Sequence, residues 1–152
     1  MPKHQEDREP RARLDEGAYD ATVLSVGLPE ESTYTDPKTK KEKTQEKVQF
    51  NFLVKQEDGT AVEIPAWAGN TVSRGAGTYS NSKLYNFLDA LGYLKEYNDG
   101  IAKLEDDVNF NVWLNDKFKK EQPKVQVIIK NSWKGDKEKE YSSVREILKR
   151  YK

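Results

Sequence analysis

The chain has 152 residues, 34% of them charged and 35% hydrophobic, with 26 basic side chains balanced by 26 acidic ones and no cysteine. This length predicts one domain able to bury a core unaided, and the lack of cysteine removes disulfides, thiol nucleophiles and cysteine-held metals. His4 is the one histidine, too few for a catalytic triad or a histidine zinc site. No apolar run approaches the length of a membrane span and the N-terminal segment is polar, so a soluble, cytoplasmic protein without a secretory signal is expected.

Residues 1–14 show no apolar periodicity and predict a disordered arm, leaving 15–152 as one domain. Alternation sets in at "GAYDATVLSVG" (17–27), the pattern of a half-buried strand. Glu30 to Lys47 is too polar to bury anything and predicts a mobile charged loop or an extended hairpin tip. In "VQFNFLV", Val48, Phe50, Phe52 and Val54 share one face, with Gln49, Asn51 and Leu53 on the other. Glu57-Asp58-Gly59 is a hairpin turn signal, after which "TAVEIPAW" returns with Val62 and Ile64 inward and Glu63, Pro65 and Trp67 pointing away.

"GNTVSRGAGTYSN" (69–81) has the composition of a mobile connector. Leu84, Phe87, Leu88 and Leu91 then recur at helical spacing, with Asn81 or Ser82 as N-cap and Gly92 as the stop. "VNFNVWL" (108–114) and "KVQVIIK" (124–130) alternate again and read as strands with Val108, Phe110 and Val112 inward, joined by the loop "NDKFKKEQP". The tail "KEYSSVREILKR" suits a helix opened by a capping box at Ser143–Glu146, or a last strand. Three strands, a helix and two more strands is the connectivity of the five-stranded OB-fold, so the expected class is an all-β barrel with one or two helices, one of them between strands three and four.

The segments "EGAYDATVLSV", "VQFNFLV…EDGTAVEIPAWAG" and "NSKLYNFLDALG" together resemble small OB-fold single-stranded-DNA-binding or replication-associated proteins of phages and related mobile elements. The likeness is one of pattern over roughly Gly17 to Leu148, and the long Lys/Glu insertion after the first strand departs from it. It implies a viral protein of DNA replication in the host cytoplasm, with replication or virion proteins as further partners.

Strand parity separates the aromatic residues. Trp67 and Trp113 fall opposite their strands' apolar runs, where an indole can offer a base a stacking platform. Cations accompany them: Arg74 in the glycine-rich loop, Lys83 at the helix start, Lys41 and Lys43 beside Tyr34 in one expected groove wall, and Lys117, Lys119 and Lys120 in the other. The net charge of zero hides a gradient, with eight acids against four bases in 1–31 and eight bases against four acids in 130–152. Asp106-Asp107 reads as turn punctuation, and "SRGAGTYSNSK" lacks the spacing of a phosphate-binding nucleotide loop, so no catalytic constellation, cofactor or metal is expected. The expected function is largely sequence-independent binding of single-stranded nucleic acid; the competing expectation is an OB-fold protein-interaction or virion adaptor module.

Overall fold

A computed structural model describes residues 14–76, 80–100, 107–132 and 141–151. Its elements are β1 (Gly17–Val26), β2 (Glu30–Thr35), β3 (Glu42–Lys55), β4 (Ala61–Gly69), α1 (Lys83–Leu91), α2 (Leu94–Gly100), α3 (Asp107–Glu121), β5 (Lys124–Ser132) and β6 (Tyr141–Arg150). The strands form one open antiparallel sheet in the order β2-β3-β1-β5-β6, with β4 on the other edge of β3. At 14 residues, β3 is long enough to serve two partners on one edge. Its first part pairs with β2, from Glu42↔Thr35 to Lys47↔Glu30, and its second with β1, from Phe50↔Val26 to Val54↔Ala21. β6 returns to lie beside β4, though among the described residues no ladder joins them.

Strand parity decides the core. Val48, Phe50, Phe52 and Val54 are buried on one face of β3, and Ile64, Ala66 and Ala68 on the matching face of β4. In β1 the buried Val23 and Val26 are three apart, which strict alternation forbids. A bulge between Val23 and Ser25 resolves this by turning Leu24 outward and resetting the parity. β6 solves the same problem between buried Val144 and Ile147: the register steps from Ile129↔Val144 to Ile128↔Glu146, so Arg145 is the extra residue. The β3–β4 turn closes at Gly59, whose φ of 88° is the left-handed region glycine enters freely.

Helices α1 and α3 cover the apolar face. Ser82 caps α1 by accepting a hydrogen bond from the Tyr85 N–H at 3.2 Å, and Gly92, at φ 82°, ends it with its N–H turned back to Asp89 and Leu88 carbonyls. Phe87 of α1 meets Phe50 edge-on at 5.2 Å and Phe52 at 6.1 Å, while Phe118 of α3 tilts over Phe50 at 6.2 Å. Each such buried side chain contributes about 1.5–3 kcal/mol relative to leaving it in water.

Three expectations are corrected. The expected strand at 108–114 is the start of α3: Val108 and Val112 are 56% and 51% exposed, and the buried residues are Leu114 and Phe118, with Phe110 and Trp113 half-buried against the core. Those four recur at helical spacing, and the i, i+2 alternation of Val108, Phe110 and Val112 crosses two sides of a helix. The expected loop 115–123 is largely the C-terminal half of α3. Three helices, not one, therefore lie between the third long strand and the next. Of the two forms expected of the tail, 141–150 takes the strand, paired with β5. Residues 30–47 form a hairpin, the second of the two forms expected of them. The arm 1–13 lies outside the described residues; Leu14, placed at its end, is buried, its N–H donating to Ser142 Oγ at 2.7 Å and its carbonyl accepting from Asn131 Nδ2 at 2.8 Å.

Candidate nucleic-acid interface

The outward face of β3 and β4 is built by the residues that alternate with the core. Trp67 stands opposite Gln49 and Pro65 opposite Asn51 in the β3–β4 register. Gln49 Nε2 donates to Asn51 Oδ1 at 3.0 Å, and Asn51 Nδ2 donates to Ser25 Oγ of β1, also at 3.0 Å. An amide row thus crosses two strands next to the indole.

Trp67 is half-buried, as its outward parity predicts, and its partner comes from β6. The rings of Trp67 and Tyr141 meet edge to face with centroids 5.8 Å apart and planes at 88°. That geometry sets the positive edge of one ring against the negative face of the other. The pair stands where β4 and β6 run side by side.

Lys83 opens α1 close to the same seam. Its ammonium donates to the Val144 carbonyl of β6 at 3.2 Å and lies 5.5 Å from the centre of the Phe87 ring. Burial lowers this lysine to about 8, helped by the positive charges of Arg145 and Lys47. Lys47 sits on β3 opposite Gly69, two positions beyond Trp67, and Arg145 is the exposed bulge residue of β6. Arg74 is exposed in the connector, whose described ends are pinned to the helix start. Ser73 N–H donates to Ser82 Oγ at 3.0 Å, Ser82 N–H returns to the Ser73 carbonyl at 2.9 Å, and Gly75 N–H donates to Asn81 Oδ1 at 2.7 Å. The composition expected of a mobile connector is here used for tight turns.

The hairpin brings Tyr34 of β2 directly opposite Lys43 of β3. Lys43 also pairs with Asp36 at 3.0 Å, and the Lys38 N–H, followed by Lys43, holds that carboxyl below its ordinary value. Lys41 is exposed at the tip. Tyr34, Lys41 and Lys43 are thus gathered on one arm.

The residues expected on the other wall sit elsewhere. Trp113 belongs to the helix layer, 6.0 Å from both the Tyr93 and Phe110 rings. Lys117 is held by Glu96 and Glu121 and lies 5.6 Å from the centre of the Tyr93 ring, so its charge is already compensated. Lys119 and Lys120 are exposed in the last turn of α3. Buried Tyr93 is flanked on its other side by Arg150, which donates to the Leu91 carbonyl at 2.9 Å and to Glu121 at 2.8 Å.

Gln49, Asn51, Ser25, Tyr141 and Arg145 join the face without having been singled out as site residues in sequence. The first two were legible from the parity of "VQFNFLV"; Tyr141 and Arg145 needed the tail to be read as a strand. Among the described residues, no group of three or more His, Cys, Asp or Glu side chains could hold a metal ion, and no helix is long and apolar enough to cross a membrane. The chain matches no family model, and comparison with curated proteins and solved structures finds no similar protein.

Proposed function

We propose that the chain is a non-enzymatic OB-fold module that binds single-stranded nucleic acid, DNA in the first place, with little sequence preference. The strand order supports the fold: β1, β3 and β4, then helices, then β5 and β6, with β6 returning beside β4, follows the connectivity of the five-stranded partly open barrel. In that fold the face of the second and third strands takes the ligand, and here these are β3 and β4.

The observation that carries the reading is the Trp67–Tyr141 pair on the outward side of the sheet, with Lys83 and the amide row of Gln49 and Asn51 nearby. An edge-on tyrosine steadies the indole, and a steadied indole loses less freedom when a base stacks on it. Stacking of this kind is worth about 1–3 kcal/mol per base and tolerates any base. Arg74 and the hairpin cations Lys41 and Lys43 supply backbone contacts beyond the stacking centre.

The test is tryptophan fluorescence during titration with an oligothymidine of about 25 bases, at low and high salt, against duplex and Trp67→Ala controls. Quenching by single strand, weakened by salt and largely lost in the variant, supports the reading. A surface that ignores DNA at low salt but captures a protein partner with little salt dependence belongs to an interaction module instead.

A further inference from the structure

We propose that Lys47, Lys83 and Arg145 form a phosphate clamp at the seam between β4 and β6, set so that a nucleotide stacked on Trp67 presents its phosphate to all three. The polymer it holds rests on the single-strand reading above; the anion site itself does not.

Three elements supply the cations, and the charges of Arg145 and Lys47 both act on Lys83. Lys83 comes from the first turn of α1 and is anchored on the Val144 carbonyl, one residue before Arg145. That bond uses one of its three N–H donors and leaves two for a ligand. Arg145 is the additional residue of the β6 bulge, a device that turns a side chain out of the regular alternation. Lys47 shares the parity of Gln49 on β3 and faces Gly69 across the ladder. At Gly69 even an added Cβ would meet nothing within 4 Å, so the face beside Lys47 is open at that position.

Glu30 stands opposite Lys47 in the β2–β3 ladder, without ion-pair contact. Among the described residues, none of Lys47, Lys83 and Arg145 forms an ion pair with a carboxylate, although Lys43, Lys117 and Arg150 all do. The nearest acid along β3, Glu46, accepts from Asn70 Nδ2 at 3.1 Å. The charges that bear on Lys83 are those of Arg145 on β6 and Lys47 on β3, both positive, and its side chain is also partly desolvated against Phe87. Converging cations with a half-buried member and no carboxylate in ion-pair contact are unfavourable in the free protein and are relieved when an anion enters. A phosphodiester group has the charge and the acceptor oxygens to do so, bound through Arg145 as a fork and through the lysines as point charges.

The experiment follows the Lys83 ammonium by the NMR shift of its ε-carbon across pH, alone and with inorganic pyrophosphate, an abasic oligonucleotide and oligothymidine in turn. Each anion is expected to move the Lys83 midpoint up from about 8 towards the ordinary lysine value. Affinity for the abasic strand then falls roughly tenfold between pH 7 and 9, a dependence that Lys83→Arg removes while keeping the binding. Lys47→Gln, at a half-buried position, and Arg145→Gln, at an exposed one, each lower the salt slope of binding by about one. An unmoved Lys83 midpoint with oligothymidine bound, together with unchanged salt slopes, overturns the clamp. If pyrophosphate moves the midpoint but no single strand binds, the clamp stands and the nucleic-acid reading falls.

Discussion

Val26 and Asn115 exchange two hydrogen bonds: the Val26 N–H donates to Asn115 Oδ1 at 3.0 Å, and Asn115 Nδ2 donates to the Val26 carbonyl at 2.9 Å. The side chain of a helix thus acts as the next strand would. β5 pairs with β1 only as far as Thr22, after which Val23 N–H turns to the Pro123 carbonyl, so the end of β1 has no ladder on that edge. Asn111, one helical turn earlier, also donates to the Val26 carbonyl, at 2.7 Å.

Asn115→Ala is therefore expected to destabilise the protein by about 1–3 kcal/mol, because it strands the N–H of a buried residue. Asn111→Ala should cost less, since Asn115 still serves the carbonyl. The double variant should cost more than the sum, because the carbonyl then loses both donors. Urea unfolding with an unchanged m-value reads all three.

The same helix carries a sharper contrast. Leu114→Ala or Phe118→Ala removes fully buried volume and should cost about 2–5 kcal/mol. Val112→Lys lies on the exposed side and should stay within about 0.5 kcal/mol of the parent. A strand with Val112 inward gives the opposite ranking, so thermal melts of Val112→Lys and Phe118→Ala decide between the two readings.

Why 108–114 misleads is a matter of window. Val108, Phe110 and Val112 alternate over five positions, and exposed β-branched residues on a helix copy a strand's signature. Phe110, Leu114 and Phe118 recur every four positions, but the pattern emerges only when the window runs on to the lysines before Pro123. By contrast, 48–54 and 62–68 are legible because both strands keep one face wholly apolar, and 84–91 because cap, periodicity and stop agree. The candidate face was half legible for the same reason: Trp67 follows from parity within one strand. Its neighbour Tyr141 follows from a non-local approach of β6 to β4, which no local pattern encodes. The bulges that reset parity in β1 and β6 hide the apolar alternation there as well.

Half-buried Lys83 and buried Tyr93 set an alkaline stability profile. Lys83 titrates at about 8 when folded against 10.5 ordinarily, so between these values the unfolded chain binds more protons and stability rises with pH. Tyr93 is pushed up to about 12 by burial and then by the charge of Glu121, against 10.0 ordinarily. Between 10 and 12 it is the folded chain that holds the extra proton, and stability falls as pH rises. The two slopes meet near pH 10, where the melting temperature should peak. Lys83→Arg, which stays charged throughout, should flatten the rising side, and Tyr93→Phe should flatten the falling side. A profile that declines steadily from pH 7 contradicts both assignments.

Trp67 and Trp113 should behave differently towards a single strand, and this follows from layer rather than from residue type. Trp113 packs on Tyr93 and Phe110 in the helix layer, so Trp113→Phe should leave the affinity for oligothymidine unchanged and remove only signal that the ligand does not quench. Trp67→Phe should keep most of the affinity, since a phenyl ring also stacks, while Trp67→Ala should lose roughly five- to a hundredfold. Tyr141→Ala is the informative case. It leaves the indole in place but removes the edge that steadies it, at 5.8 Å, so binding should weaken by about two- to tenfold with the quench at saturation retained. Equal losses from Tyr141→Ala and Trp67→Ala would mean that the tyrosine ring is itself a platform, and an unaltered affinity in both would remove this face from any account of how the protein holds a strand.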